Sequence, residues 1–202
     1  MKRFILSFIA AAFLLVACNN NKSKDSTTTE DSSKIKTSTE TTTDNTSQNS
    51  ADEAQKKMDE LKKLPALTTE QLKAMLPEEL GGMKRKSSFV SSNLGYGVAQ
   101  AGYKSDDGKE MRLVVYDCVG EAGAGWYNMM FWGWNMEQED ENGYQKTTTF
   151  NGNKAIEKYE KNRDQYTLMY AANDRLLVNL EGEKTGLDAV KQAANSLSLK
   201  TN

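Results

Sequence analysis

The chain has 202 residues, with 26 basic and 28 acidic side chains, a net charge of −2 and no histidine. The lack of histidine excludes Ser-His and Cys-His catalytic pairs and removes the commonest zinc ligand. The slight excess of acids argues against nucleic acid as a partner.

The first eighteen residues, MKRFILSFIAAAFLLVAC, have the form of an export signal. Lys2 and Arg3 precede a run at residues 4–16 that is apolar apart from Ser7. This run is too short to cross a bilayer as a helix, which takes about 20 residues. It has the length of the apolar part of a secretion signal.

The run ends in Leu15, Val16, Ala17 and Cys18, which resembles the lipobox of bacterial lipoproteins. The resemblance implies that diacylglycerol is attached to the Cys18 sulfur and that the signal peptide, residues 1–17, is removed. Two or three acyl chains hold a protein stably on a membrane. In such lipoproteins an Asp directly after the cysteine can retain the protein in the inner membrane. Because Asn19 stands there instead, the resemblance implies a lipoprotein of the outer membrane that faces the periplasm, with the cell surface as the alternative.

Residues 18–50 form the predicted tether. Half of residues 19–50 are Ser or Thr, and Ile35 is the only aliphatic side chain among them. Such a segment has no apolar surface to offset the entropy cost of ordering, so the composition predicts disorder. We expect one globular domain to follow at residues 51–202.

The first half of this domain combines helical and strand patterns. Residues 51–64 are good helix formers, and a second helix is predicted from Thr68, which can form a capping box with Gln71. Three strands are predicted next, at residues 87–92, 94–105 and 109–119, with a tight turn at residues 106–108. Both faces of the third strand are largely apolar, which indicates burial on both sides.

The second half predicts four strands and a closing helix. The strands lie at residues 144–150, 153–160, 165–172 and 175–182. Asn151-Gly152 is a strong hairpin signal between the first two, and Asn173-Asp174 marks the last turn. Residues 185–199 are predicted to form a helix capped by Thr185, with its apolar residues on one face.

These elements predict an α+β domain with an antiparallel sheet of about six or seven strands and helices packed on it. The order resembles the PsbP-like fold and small domains found in bacterial lipoproteins. The resemblance is one of architecture, and it implies a fold without a site.

The stretch GAGWYNMMFWGWNM, residues 123–136, contains all three tryptophans of the chain. As a helix it has only a narrow polar line at Asn128 and Asn135, which predicts a helix covered on nearly every side. The alternative is an exposed apolar surface or pocket, since Trp and Met suit adaptable binding surfaces. The candidate binding residues are Trp126, Tyr127, Met130, Trp132 and Trp134.

No other pattern indicates chemistry. Cys118 lies in a predicted strand and is expected to behave as a small hydrophobic residue. The acids at residues 137–142 do not have the spacing of an EF-hand and are interpreted as a solvated loop. We therefore predict no catalytic residue, no metal site and no cofactor beyond the covalent lipid on Cys18.

The sequence thus favours a lipid-anchored envelope protein with a non-catalytic binding domain. Its expected partners are the membrane, through Cys18, and either an envelope protein or a small apolar ligand, but not nucleic acid. The alternative is a structural or accessory subunit of an envelope complex that has no ligand pocket.

Overall fold

The computed structural model describes residues 45–93, 95–131 and 135–201. The predicted signal peptide and Cys18 lie outside these residues, as does most of the predicted tether. The first helix begins at Asn45, six residues before the predicted start of the domain at residue 51. The described elements, in chain order, are α1 Asn45–Lys63, α2 Thr69–Ala74, β1 Glu79–Leu80, β2 Met83–Ser91, β3 Gly97–Lys104, β4 Glu110–Asp117, α3 Gly120–Phe131, β5 Glu137–Asp140, β6 Gly143–Phe150, β7 Asn153–Glu160, β8 Gln165–Ala172, β9 Leu176–Glu183 and α4 Leu187–Ser196.

The strands form one antiparallel sheet in the order β1-β2-β3-β4-β9-β8-β7-β6-β5. The chain therefore runs as a meander from one edge to the centre at β4. It then crosses to the opposite edge at β5 and returns as a second meander that ends beside β4. The prediction of an antiparallel sheet with helices packed on it is confirmed, and the molecule is mostly sheet.

The predicted number of strands, six or seven, is wrong because the described residues contain nine. The two additional strands are β1 and β5, one at each edge of the sheet. β1 has only two residues, and β5 consists of the exposed residues EQED, which show no apolar alternation. Charged side chains on an edge strand discourage pairing with other chains. They also remove the apolar alternation from which a strand is predicted.

One face of the sheet, here called the closed face, carries the main core. α2 packs on β2 and β3, and α4 packs on β8 and β9. Val190 and Ala194 of α4 meet buried residues of the central strands, among them Leu113, Val178 and Leu180. Burial of such side chains contributes about 1.5 to 3 kcal/mol each, so this layer supplies much of the stability.

The opposite face, here called the open face, is covered by helices mainly at one end. There α1 and α3 pack on each other, and Leu61 and Tyr127 join Cys118, Ala171 and Leu177 in a second, smaller core. Farther along the same face lie polar or exposed side chains of β2, β3 and β4, which include Phe89, Gln100 and Arg112.

The local signals at helix ends and turns have mixed outcomes. The capping box at Thr68 and Gln71 is confirmed, with both of its hydrogen bonds present. The turn at Asn151-Gly152 is confirmed, and both residues have positive φ, as a tight hairpin turn requires. The predicted cap at Thr185 is wrong, since α4 begins at Leu187 after Gly186 and has no side-chain cap.

Candidate functional site

Helix α3 carries the predicted binding residues and lies close against the end of β4. A Cβ atom on Gly123 would lie 2.6 Å from the carbonyl carbon of Cys118, so only glycine fits at this contact. The helix also touches α1, where Leu61, Ala124 and Tyr127 are buried together. The glycine therefore brings one side of α3 into the second core.

The other side of α3 is not covered. Trp126 is 39 % exposed and Met129 is 50 % exposed, whereas Tyr127 is only 6 % exposed. The prediction of a helix covered on nearly every side is therefore wrong for the side that carries Trp126 and Met129. The reason is geometric, because α1 packs along one flank of α3 and leaves these two side chains at the surface.

The five predicted binding residues have different outcomes. Trp126 lies at the surface and Tyr127 in the second core. Trp132, Trp134 and the side chain of Met130 lie outside the described residues. Trp126 and Tyr127 therefore lie on the same helix, but Trp126 lies at the surface and Tyr127 lies in the second core.

An aromatic row crosses the open face next to α3. The ring centroid of Tyr116 lies 6.4 Å from that of Trp126 and 6.1 Å from that of Tyr96, with tilted rings in both pairs. Such pairs stabilise by about 0.5 to 1.5 kcal/mol beyond their burial. Tyr96 and Tyr116 come from β3's entrance and β4, so sequence spacing alone does not reveal that they join Trp126.

Beside the aromatic row lies a polar concavity of about 350 Å³ on β2, β3, β4 and β9. Its charges are largely compensated within the concavity. Arg163 lies 3.3 Å from Glu183, and Arg112 lies 4.0 Å from Glu181. Because the charged groups here neutralise one another, the concavity offers little excess charge to a ligand.

A second cavity, of about 430 Å³, lies between α1, α3 and two hairpin turns. We call it the α1 groove. Tyr127 lines it from α3, Lys154 from β7 and Asp174 from the turn between β8 and β9. α1 contributes Glu53, Lys56, Lys57 and Glu60. The sequence does not predict this groove, because its lining comes from four separate elements. The Asn151-Gly152 signal does predict one of its two turns correctly.

The most buried ion pair of the described chain has a structural position. Arg175 donates two hydrogen bonds of 2.8 Å to the carboxylate of Asp117, and a third to the carbonyl oxygen of Pro65. The backbone N–H of Leu67 donates to the same carboxylate. These contacts fix the connection between α1 and α2 to the sheet, so we assign the pair to folding.

A second acid, Glu157, is buried on the closed face. Tyr144 donates a 2.7 Å hydrogen bond to it, and the ammonium groups of Lys191 and Lys146 lie 3.0 and 3.3 Å away. Burial raises the pKa of Glu157, but the hydrogen bond from Tyr144 and the charge of Lys191 outweigh burial and leave the pKa below its usual value. The carboxylate thus connects α4 to the sheet.

Cys118, predicted to lie within a strand, follows the end of β4 and is a buried free thiol in the second core, where it behaves as the small hydrophobic residue expected. Burial raises its pKa to about 12. Since the thiolate is the reactive form, this cysteine is protected from oxidation and alkylation in the folded protein.

The acids predicted as a solvated loop have the predicted exposure but not the predicted structure. Glu137 and Glu139 belong to the edge strand β5, which pairs with β6. Within the described ranges, no group of three or more Asp, Glu or Cys side chains is arranged to hold a metal ion. In the same ranges, no helix is both long and apolar enough to cross a bilayer.

No family of proteins, no curated protein and no solved structure shows a significant match to the chain.

Proposed function

We propose that the chain is a bacterial lipoprotein, anchored in the cell envelope through lipid on Cys18, whose α+β domain binds a partner without catalysis. The leader and the sequence LVAC at residues 15–18 support the anchor. The outer membrane, on its periplasmic side, is the proposed location, and the cell surface is the alternative. The resemblance to PsbP-like domains belongs to the same proposal.

The observation that carries the binding proposal is the exposure of Trp126 and Met129 on a helix whose opposite side, at Ala124 and Tyr127, is packed in the second core. Tyr96 and Tyr116 extend this exposed side into an aromatic row. Aromatic and Met side chains are enriched in the centres of protein interfaces, and an exposed apolar patch marks an interaction site. An envelope protein is the proposed partner of this surface.

Metabolic labelling tests the anchor. Cells that express the full chain are grown with an alkyne analogue of palmitate, and Cys18→Ser is compared with the control Cys118→Ser. We expect Cys18→Ser to abolish labelling and Cys118→Ser to retain it. Labelling of the Cys18→Ser protein at the level of the unchanged chain would refute the anchor.

Tryptophan fluorescence tests the binding surface. In a chain with Trp132→Phe and Trp134→Phe, Trp126 is the only source of tryptophan emission. We expect red-shifted emission that acrylamide quenches readily and that becomes protected when envelope membranes are added. Emission that stays equally quenchable with membranes would favour the alternative, an accessory subunit that uses no ligand surface here.

A further inference from the structure

Among the half-buried lysines of the described residues, one differs from the others in having no carboxylate partner. Six lysines of the described residues are half-buried: Lys57, Lys62, Lys146, Lys154, Lys158 and Lys191. Five of them lie within 4.0 Å of a carboxylate oxygen. Lys154 is the exception, with no carboxylate within that distance in the described part of the chain.

This difference has an energetic meaning. An ammonium group that loses water without gaining a counter-charge is destabilised, and the penalty disfavours its charged form. Burial accordingly lowers the pKa of Lys154, and no neighbouring charge of the described residues contributes to the shift. Retaining a lysine here costs stability, so a bound anion would supply the contact that the folded chain itself does not provide.

The surroundings of Lys154 form a site for such an anion. Lys154 lines the α1 groove together with Tyr127, whose ring is almost fully buried at that position. The volume of the groove, about 430 Å³, lies within the range of roughly 300 to 1,000 Å³ that small-molecule sites occupy.

The other charges of the groove limit the ligand. Lys57 is already paired, since it lies 3.7 Å from Asp174 and 4.0 Å from Glu60. Apart from Lys154, the groove carries one more acid than lysine, which disfavours a ligand with several negative charges; these residues are Lys56, Lys57, Glu53, Glu60 and Asp174. A ligand with one anionic group and an apolar body suits the groove. Its single charge can pair with Lys154, and the aliphatic parts of the α1 side chains and the Tyr127 ring can cover its apolar body.

We infer that the α1 groove binds an amphipathic molecule with one anionic group, a carboxylate or a phosphodiester, which pairs with Lys154 while its apolar part lies against Tyr127. This site goes beyond the proposed binding surface, because Trp126 does not line the groove. Fatty acids and single-chain phospholipids are the two sources of this chemistry. The groove and the exposed side of α3 would then take different ligands.

The test is calorimetric titration of the chain from residue 18 onward with Cys18→Ser, which retains every described residue. The probes are decanoate, lysophosphatidylglycerol and, as a neutral control, decanol, all below their micelle concentrations. We expect one or both anions to bind and Lys154→Gln to weaken that binding roughly ten-fold or more, since charge-assisted contacts are the strong ones. Lys154→Arg should retain most of the binding.

The matched control is Lys161→Gln, which removes one charge from an exposed lysine outside the groove. It should leave binding unchanged, as should Trp126→Ala, which separates this site from the proposed function. Preference for decanoate would identify a fatty acid and preference for lysophosphatidylglycerol a phospholipid. Equal binding of decanol, equal loss in Lys161→Gln, or no binding of either anion would overturn the inference. Circular dichroism melting confirms that each variant is folded.

Discussion

The two faces of the sheet differ in how completely the helices cover them. The closed face is covered by α2 and α4 and carries a continuous core, in which the buried acid Glu157 is held by a hydroxyl and two ammonium groups. The open face is covered by α1 and α3 at one end and carries Trp126, Met129 and the polar concavity. Because side chains alternate along a strand, adjacent residues of one strand lie on faces that differ in their coverage by helices.

Two cationic side chains of the domain differ in the partners that surround them. Arg175 and Lys154 are both removed from bulk water to some extent. Arg175 has a carboxylate, a carbonyl oxygen and a fixed geometry around it, whereas the pKa of Lys154 is lowered by burial alone. We interpret the satisfied group as part of the fold and the other as part of a site.

The greatest loss of stability is expected when the buried ion pair of Arg175 and Asp117 is broken. Arg175→Ala leaves the buried carboxylate of Asp117 without its guanidinium, and we expect the free energy of unfolding in urea to fall by about 3 to 5 kcal/mol. The control Arg163→Ala, in an exposed pair with Glu183, should cost less than about 1 kcal/mol. Similar losses in both variants would contradict the structural assignment of Arg175.

A core substitution should distinguish the two faces directly. Leu180 lies fully buried on the closed face, so Leu180→Ala should lower the free energy of unfolding by about 2 to 5 kcal/mol. Phe89 lies on the open face and is 54 % exposed, so Phe89→Ala should change it by less than about 0.5 kcal/mol. A cost for Phe89→Ala as large as that for Leu180→Ala would mean that the open face is also a core.

Acid should weaken the closed face through Glu157. Its pKa is lowered in the folded protein from the usual 4.5, so its contribution is complete above that value and is lost as the pH falls through the lower, folded pKa. Glu157→Gln should cost about 1 to 3 kcal/mol at pH 7 and little below the folded pKa. Urea unfolding of both proteins from pH 7 down to pH 2.5 (roughly two units below the usual value) measures this, and a cost independent of pH would contradict it.

The smallest expected effect concerns Cys118. Because burial raises the pKa of its thiol to about 12, iodoacetamide at pH 8 should leave the folded chain unmodified at this position. Mass spectrometry should find alkylation only after denaturation in urea. Rapid alkylation of the native protein would show that the second core under α1 opens readily.

The sequence predicts the regular parts of this fold well. The positions of the seven predicted strands, the Asn151-Gly152 hairpin and the capping box at Thr68 are set by neighbouring residues, and the structure confirms them. β5 is missed because its four acidic or amide residues form a strand only through pairing with β6. The exposure of Trp126 is missed for a related reason, since a helical wheel shows which residues are apolar but not which flank a second helix covers.

The candidate sites depend on contacts between distant segments. The aromatic row joins Tyr96, Tyr116 and Trp126 across the sheet, and no periodicity in the sequence relates them. The predicted strand at residues 153–160 is confirmed, but the sequence does not reveal that Glu157 is buried there beside Lys191 of α4. Long-range pairing decides these positions.

Photo-crosslinking in living cells tests the central claim, that the open face is the binding surface, most directly. Benzoylphenylalanine replaces Trp126 of α3 on the open face in one strain and Gln192, an exposed residue of α4, in another. We expect a discrete crosslinked product that requires light at position 126 and is missing at position 192. No product at position 126, or the same product at both positions, would contradict it.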